Sequence, residues 1–534
     1  MALNITSKKN GDSLVMELKG KLSASEAKQF DDAFGEAAEG IKEALLDFSG
    51  VDYISSAGLR SLFLAKKKMM QQSGALKVLY PTPEVMEVFT ATRYDNIVTI
   101  VQKEDKEEGD APKFYPLRPV QRMMVDTHFQ KAQSTMMNTG ALVKLDNSVD
   151  LELLAEALNG LLAAYDTFRC RLVLHPETGD ICQRFDGEVG KVHVETMSDE
   201  AFEARKQEVK QPYDLIDHPL YRVYIMKTSS ASYLYIDFYH VIMDGMAIAL
   251  LFWREVDKRY TQLVKKAAPK ILHQPSSYAA YILEEANIPK EELAAGHDYW
   301  LQMAGGFDKA KHLPPPDVQG EPDSPEHELE VPFPDMDNNF FKGKNYSENT
   351  FFMAAVMLAL AKSTGSRETI LTWVHNGRMT SAERRLMGLM LDQYPIRWDF
   401  GTDMSSEAFL CALEAKVQEG MQYRKSLDII YEEGMNEGVA CFILQKGSMG
   451  RRGKMKLGGT EAVIEEMPAN EISAAENTMD IELNAHDDGT FSLVLDYDNH
   501  RYTEKAMRQF AATMEKMVLG LQDASRMTSE LLSD

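Results

Sequence analysis

The sequence predicts an α/β protein made of several domains. The chain has 534 residues, which is too long for one ordinary hydrophobic core. Alternating apolar patterns typical of strands are interleaved with helical apolar spacing in residues 1–103 and again in residues 114–285. A charged run that contains Gly and Pro at residues 104–113 separates these parts, so it is predicted to be a linker.

The composition is that of an ordinary globular protein, with 44% hydrophobic and 26% charged residues. The net charge of −24 argues against general binding to nucleic acid or to an anionic membrane. No apolar run is long enough to cross a bilayer, and the first residues lack the apolar core of a signal peptide. No metal-binding or disulfide spacing joins the four cysteines, Cys170, Cys182, Cys411 and Cys441. These observations predict a cytoplasmic protein with reduced thiols and no metal site.

The first part reads as a small domain of alternating strands and helices. Strand patterns occupy residues 12–22 and 44–50, and the second is expected to end in a turn at residues 47–50. Ser55 and Ser56 then stand at the start of a predicted helix. Two interpretations of these serines stay open. Local chemistry favours ordinary N-capping, and the alternative is an anion site formed by backbone N–H groups and the helix dipole.

The sequence DFSGVDYISSAGL at residues 47–59 resembles the signature of STAS domains, the family of bacterial anti-sigma-factor antagonists. The resemblance implies a STAS-like α/β domain over residues 1–103. In that family an anti-sigma kinase phosphorylates a serine at the position of Ser56, which breaks a partner complex. The neighbours of that serine are often Asp on one side and Ser or Thr on the other; here they are Ser55 and Ala57.

A predicted strand and the residues after it are the most distinctive stretch of the second part. Residues 233–239 alternate in a way that predicts a half-buried strand. His240 follows, Asp244 stands four residues later, and Gly245 permits a sharp turn before a buried helix at residues 246–253. This arrangement either holds an imidazole base in a cleft or is a core histidine with a surface aspartate. The local pattern alone favours the core histidine.

The sequence YHVIMDG at residues 239–245 resembles the His-His-x-x-x-Asp-Gly motif of condensation domains of nonribosomal peptide synthetases. These domains belong with the chloramphenicol-acetyltransferase-like acyltransferases. Weaker matches to the family's opening and second motifs are PLRPVQ at residues 116–121 and YDTFR at residues 165–169. The resemblance covers roughly residues 114–520.

A further match lies in the second half of the chain. The sequence NGR at residues 376–378, followed by residues 387–397, resembles the second-lobe motif of the family. Asp392 and Gln393 stand where the family has Asn and Thr. Arg378 is the candidate partner of the motif aspartate by analogy, and the alternative is a surface arginine after a turn.

The resemblance implies a two-lobed chloramphenicol-acetyltransferase-like fold, with an N-terminal lobe at residues 114–285 and a C-terminal lobe at residues 286–534. His240 would lie in a tunnel between the lobes, where it positions or deprotonates the amine or hydroxyl that attacks a carrier-bound thioester. The resemblance makes Asp244 mainly structural, usually paired with an arginine, and Gly245 a site of close backbone approach. Tyr239 replaces the first histidine of the motif, a position thought to be mainly structural.

Two functions follow as hypotheses. The first is a free-standing condensation-type acyltransferase that forms an amide or ester, with a STAS domain for regulation or partner binding. Its partners would be an acyl or peptidyl carrier protein and an anti-sigma kinase or other STAS partner. The chain itself would bind no cofactor, because phosphopantetheine is carried by the carrier protein. The second is a non-catalytic partner-switching or scaffold protein regulated through Ser56, which Tyr239, Asp392 and the weak flanking motifs favour.

Residues 445–456 form a basic, Gly-rich run. Its glycine spacing is wrong for a P-loop. It is interpreted as a solvated loop, and the alternative is a docking strip for an acidic carrier protein.

Overall fold

The computed structural model of the chain describes residues 3–533 apart from residues 11, 73, 93, 95–96, 102–112, 132–133, 268–275, 307–310, 323–326, 335, 338, 447–453, 466–477 and 487–488. The chain divides into two compact units, Met1–Ala111 and Pro112–Asp534. The predicted linker at residues 104–113 lies outside the described residues except for Lys113.

The first unit alternates strands and helices in the order β1 (Asn4–Asn10), β2 (Ser13–Leu22), α1 (Ala27–Ala37), β3 (Glu43–Ile54), α2 (Ser56–Gln71), β4 (Ala75–Leu79), α3 (Pro83–Ala91) and β5 (Thr99–Val101). The strands lie side by side in chain order, antiparallel between β1 and β2 and parallel from β2 to β5. The apolar faces of the helices pack on this sheet and form one core.

The prediction that the second strand ends in a turn at residues 47–50 is wrong, because strand β3 continues to Ile54. Its register against β2 shifts between Glu17 and Lys19. The backbone N–H of Ser49 donates a hydrogen bond to Asp47 Oδ1 at 2.9 Å. Ser49 and Gly50 thus lie at a β-bulge. A bulge bends a strand without ending it.

The second unit begins with the elements α4 (Pro119–Gln130), β6 (Asn138–Leu145), α5 (Leu151–Ala164), β7 (Arg171–Leu174), β8 (Ile181–Arg184), β9 (Val194–Thr196), α6 (Asp199–Val209), β10 (Tyr221–Lys227), β11 (Ser232–Tyr239), α7 (Trp253–Val264) and α8 (Tyr278–Ala286). A π-helical segment, Ala247–Phe252, leads into α7. The predicted helix at residues 246–253 is therefore present, with a wider first turn.

The unit continues with α9 (Lys290–Ala304), β12 (Glu328–Phe333), α10 (Glu348–Thr364), β13 (Glu368–His375), β14 (Asp392–Asp399), α11 (Ser406–Gln422), α12 (Asp428–Glu432), β15 (Ala440–Lys446), β16 (Lys454–Leu457), β17 (Thr460–Glu465), β18 (Met479–Ala485), β19 (Phe491–Tyr497), α13 (Glu504–Leu521) and α14 (Thr528–Ser533). Helix α10 is buried along residues 350–361 and forms the centre of the second lobe's core.

Two six-stranded sheets build the two lobes of this unit. The first has the order β16-β17-β6-β11-β10-β9, and the second has the order β12-β19-β18-β15-β13-β14. Strands β16 and β17 come late in the chain yet join the first sheet through β6. Leu457 and Ala462 anchor this crossover, since both are buried in the first lobe's core.

The interpretation of residues 445–456 as one solvated loop is wrong, because both ends of this segment lie in strands. Residues 445–446 end strand β15, and residues 454–456 lie in strand β16. Residues 447–453, where most of the proposed docking strip falls, are outside the described part of the chain.

Candidate active site

Strand β11 lies inside the first sheet, between β6 and β10. The prediction that it is half-buried is wrong, because residues 233–239 are all buried. Helix α6 covers the tyrosine face, where the ring of Phe202 stacks on Tyr233 with 4.2 Å between ring centroids. A strand buried on both faces gives the residue that follows it a fixed position.

His240 directly follows β11 and is anchored by its backbone N–H, which donates to the carbonyl oxygen of Met137 at 2.8 Å. The imidazole is half-buried and lines a cavity of about 580 Å³. Its Nδ1 atom is buried and has no hydrogen-bond partner among the described residues. Since Nδ1 faces the interior, Nε2 is the ring nitrogen that can meet a ligand in the cavity.

Asp244 and Arg378 form the expected pair, with Arg378 Nη1 donating to Asp244 Oδ2 at 2.8 Å. Both side chains are buried. The same carboxylate accepts the backbone N–H groups of Met390 at 2.7 Å and Ala247 at 2.8 Å. The guanidinium also donates to backbone carbonyls of the second half of the chain, at Asn376, Leu386 and Gly388. The pair therefore ties the residues after His240 to the segment at residues 376–390.

Gln121, in the predicted opening motif, supports the other side of the histidine. Its side-chain amide is fully buried and donates to the carbonyl oxygen of Val241 at 2.8 Å and to Gln183 at 3.0 Å. The residue after His240 is thus held by a buried hydrogen bond, which restricts the motion of the backbone beside the imidazole.

Gly245 has a different role from the sharp turn that was expected. Its φ is not positive, and a Cβ built on it would meet nothing within 4 Å. The residue is exposed where it lines the cavity. Glycine at this point leaves the cavity floor open beside the start of a helix.

Tyr239 points into the first lobe, whereas the next residue, His240, lines the cavity. The tyrosine is 1% exposed, and its ring lies 5.5 Å from the rings of both His128 and Tyr213. The residue at which the motif departs from the family pattern is therefore a core residue.

The cavity lies between the two lobes. The first lobe contributes Met124, Thr139, His240, Asp244, Gly245 and Met246, and the remaining lining comes from residues 347–480. On that side, β13 and β15 are paired only at residues 371–373 and 440–442. Beyond these pairs both strands continue and line the cavity, so the gap in the second sheet is part of its wall.

The wall contains a second imidazole, His375, which the sequence analysis does not single out. Its Nδ1 accepts the backbone N–H of Gly377 at 3.1 Å, and its ring lies edge-on to Trp373 and Tyr394. Burial, followed by the charge of Arg424, lowers the pKa of His375 and so favours the neutral ring. A histidine outside a known motif gives no local signal that it shares a cavity with another.

A buried charge network lies beneath the site. Arg118 Nε donates to Glu285 at 2.6 Å, and Arg118 Nη2 donates to Asp392 at 2.7 Å. One cation thus serves two carboxylates. Burial raises the pKa of Asp392 to about 6, against the lowering effect of Arg118.

The substitution Asp392→Asn tests this network. The folded state binds an extra proton at Asp392 between about pH 4 and pH 6, so the wild type should lose stability relative to the variant as pH rises through that window, by about 1 kcal/mol or more. Urea unfolding followed by tryptophan fluorescence measures this, because Trp253, Trp300, Trp373 and Trp398 all lie in the second unit.

Asp399→Asn is the matched control, in an exposed residue of the same strand. The backbone N–H of Gly401 and the side chain of Arg367 lower the pKa of Asp399. Its effect should therefore have the opposite sign, with the wild type gaining relative to the variant as pH rises. Parallel pH dependences for wild type and Asp392→Asn would contradict the assignment.

In the first unit, Ser55 and Ser56 stand where the helix begins, as predicted. Ser55 is the N-cap of α2, and its Oγ accepts the backbone N–H of Gly58 at 3.3 Å. Ser56 is the first residue of the helix and is exposed. The N-capping interpretation therefore holds for Ser55, whereas Ser56 does not form the cap and is exposed.

Residues 111–530 match the family model described as "Condensation domain". The chain belongs to the condensation-domain family. Residues 4–107 match the model described as "STAS domain". The predicted α/β fold, a STAS domain followed by a two-lobed condensation fold, is confirmed.

Curated relatives of this condensation-domain protein are bacterial peptide synthetases. Bacitracin synthase 3 of Bacillus licheniformis is 23% identical over 340 residues, which cover 62% of this chain and 5% of the relative. Tyrocidine synthase 3 of Brevibacillus parabrevis is 25% identical over 256 residues, 46% of this chain and 4% of the relative. The chain thus spans only a small part of the length of these relatives.

Solved structures share the fold at low identity. The condensation domain of the Monacolin K polyketide synthase has a TM-score of 0.62 at 17% identity and covers 78% of this chain and 99% of its own. The epimerization domain from the third module of tyrocidine synthetase B has a TM-score of 0.59 at 16% identity, covering 80% and 100%. A condensation domain and an epimerization domain share this fold, so the fold alone does not define the reaction.

No helix in the described part of the chain combines the length and apolar character needed to span a membrane. Among the described residues, no group of three or more acidic, histidine or cysteine side chains is arranged to hold a metal ion.

Proposed function

We propose that this condensation-domain protein is an acyltransferase that forms an amide or ester from a carrier-bound thioester, with His240 as the positioning group and base. One observation carries the proposal. His240 stands at the end of a fully buried strand and lines a cavity between two lobes that is large enough for a substrate.

The reaction needs one proton acceptor and one defined geometry. An acceptor amine attacks the thioester carbonyl, a C–N bond forms, and the C–S bond breaks. His240 Nε2 takes the proton from the amine and returns it to the leaving thiolate, which departs as the free thiol of phosphopantetheine. Such a step gains from proton transfer and from holding both substrates in one channel.

Asp244 and Arg378 are assigned positioning roles. Every contact described for the Asp244 carboxylate is to a group that holds the loop in place. With an arginine and two backbone N–H partners, the carboxylate is committed to holding the loop in place. Gly245 is assigned to substrate access, because a side chain there would project into the cavity.

The partner of this reaction is an acyl or peptidyl carrier protein that delivers its phosphopantetheine arm to the cavity. The family membership and the peptide synthetase relatives support this partner. The four cysteines are free thiols, which supports a reducing, cytoplasmic setting.

The test is product formation by the purified full chain. Carrier proteins loaded with acyl-phosphopantetheine are supplied as separate proteins with amine and alcohol acceptors, and products are identified by mass spectrometry. We expect amide or ester product above the rate of uncatalysed aminolysis. Thioester loss to water alone, at the same rate with and without the protein, would overturn the proposal.

For the STAS unit we propose that Ser56 is the residue modified by a serine kinase of the anti-sigma type. Exposure at the first position of a 16-residue helix supports this. A phosphate there is favoured by the helix dipole and adds up to two negative charges to a partner surface.

Phosphorylation of the full chain by candidate kinases, read by mass spectrometry, is expected to place one phosphate on Ser56. Ser56→Ala should abolish it. Ser55→Ala is the matched control, which should remain a substrate although it loses an N-cap worth about 1 kcal/mol. Phosphate on Ser55, or on both variants alike, would contradict the assignment.

A further inference from the structure

We propose that the cavity beside His240 selects an apolar donor acyl group over an anionic one and tolerates variation in its shape. The inference rests on the proposed acyl transfer and names its substrate class. Two independent properties of the lining support it: the kind of apolar side chain present, and the way in which each charged side chain is already engaged.

Methionine is the most repeated apolar residue of the wall. Met124, Met246, Met379 and Met421 all line the cavity, and they come from both lobes. Met124 is buried, Met246 and Met421 are half-buried, and Met379 is exposed. Methionine is unbranched, and it adapts to partners of different shape more readily than branched side chains do. Further apolar surface comes from Leu391, Val417, Ile443 and Leu444.

The charged side chains of the wall already have partners inside the protein. Asp244 pairs with Arg378, and Lys446 pairs with Glu348. Glu414 accepts hydrogen bonds from the backbone N–H and hydroxyl of Ser347 and from the side chains of Thr350 and Gln418. Asp480 is likewise engaged within the protein. Among the described residues, therefore, the one ammonium group of the cavity lining, Lys446, is already paired with Glu348, whereas Glu414 accepts only from neutral donors and keeps its negative charge.

An anionic acyl chain would have to give up its water without gaining a free cation, and it would face the carboxylate of Glu414, which is strongly unfavourable. An apolar chain gains from the same burial. The neutral polar groups of the wall, Thr139, Asn376 and Gln393 among them, suit the amides of the carrier arm and do not compensate a full charge. The lining thus discriminates by charge more than by shape.

The first experiment measures binding, so that it does not depend on turnover. Two pantetheine amides, in which nitrogen replaces the thioester sulfur, carry octanoic acid or suberic acid with one carboxylate left free, so they have equal chain length and differ only in the terminal group. We expect the full chain to bind the octanoyl compound about tenfold or more tightly than the suberyl compound, by isothermal titration calorimetry. Equal affinities would overturn the inference.

Charge substitution on the wall is the second experiment. Met421→Lys is expected to improve binding of the suberyl compound relative to the octanoyl compound by about tenfold, because it adds a cation to the cavity. Met421→Leu is the matched control and should keep the wild-type preference. Met379→Lys repeats the test at a site that is 44% exposed and therefore tolerant of substitution. Unchanged preference in both lysine variants would contradict the inference.

The two proposals fail separately. A preference for the octanoyl amide without any transfer from the octanoyl thioester would refute the acyltransferase and leave the apolar site standing. Transfer with equal use of anionic and uncharged thioesters would refute the apolar site and leave the acyltransferase.

Discussion

Arg378→Met is expected to lower the free energy of unfolding of the second unit by about 3–5 kcal/mol, because it leaves the buried Asp244 carboxylate without its counter-charge. It also removes the donor for three backbone carbonyls between residues 376 and 388. Urea unfolding followed by tryptophan fluorescence measures the loss. The same variant should lower acyl transfer, since the residues after His240 lose their tie to the second lobe.

Two further variants show whether the loss of stability comes from breaking the buried Asp244–Arg378 pair or from removing any arginine. Arg508→Met breaks an exposed i,i+4 pair with Glu504 and should cost about 0.5 kcal/mol or less. The double variant Asp244→Asn/Arg378→Met should cost less than the sum of its single changes, because the uncompensated carboxylate is gone. A loss for Arg378→Met no larger than that for Arg508→Met would contradict the structural role of the pair.

Much of the fold was predictable because its signals are local. The alternating strand at residues 233–239 and the helix start at Ser55 and Ser56 each depend on residues close together in sequence. The motif at residues 239–245 and the choice of Arg378 as the partner of Asp244 were found in the same way, through short sequences that resemble a family. The structure shows the contact between Asp244 and Arg378, while the catalytic roles of the motif residues stay predictions.

The errors arose where distant parts of the chain meet. The tyrosine face of β11 reads as solvent-facing, and only the packing of α6 against it, through Phe202, makes it a second buried face. Strand β16 joins β17, and β17 pairs with a strand about three hundred residues earlier, so a loop was predicted where a strand forms. Periodicity in one segment carries no information about which other segment covers it.

The roles of the supporting residues of the site were not predicted, for the same reason. Gln121 and His375 belong to segments far from His240 in sequence, and the contacts that bring them to it are tertiary. Asp392 was noted only as a departure from the family pattern. The structure gives that departure a physical partner, since Arg118 contacts Asp392 and Glu285 together.

His240→Ala is expected to reduce kcat/KM for acyl transfer by about 10²–10⁴-fold, the range supplied by a positioned proton acceptor. Stability should change little, because the side chain is half-buried and makes no side-chain hydrogen bond described in the structure. Circular dichroism and urea unfolding verify that the variant is folded.

Two control variants make the comparison specific. His297→Ala removes an imidazole that pairs with Asp428 and is not among the described residues lining the cavity, so its rate should stay near wild type. Tyr239→His restores the family residue at a core position. Because Tyr239 packs against His128 and Tyr213, that change should affect stability more than transfer.

The most direct test of His240 as the base is single-turnover amide formation from a bound acyl thioester, compared between the wild type and His240→Ala. Binding of the corresponding pantetheine amide is measured on the same preparations. We expect equal binding and a rate of product formation about 10²–10⁴-fold lower in the variant. Equal rates of product formation in the two proteins would contradict the role of His240 in acyl transfer.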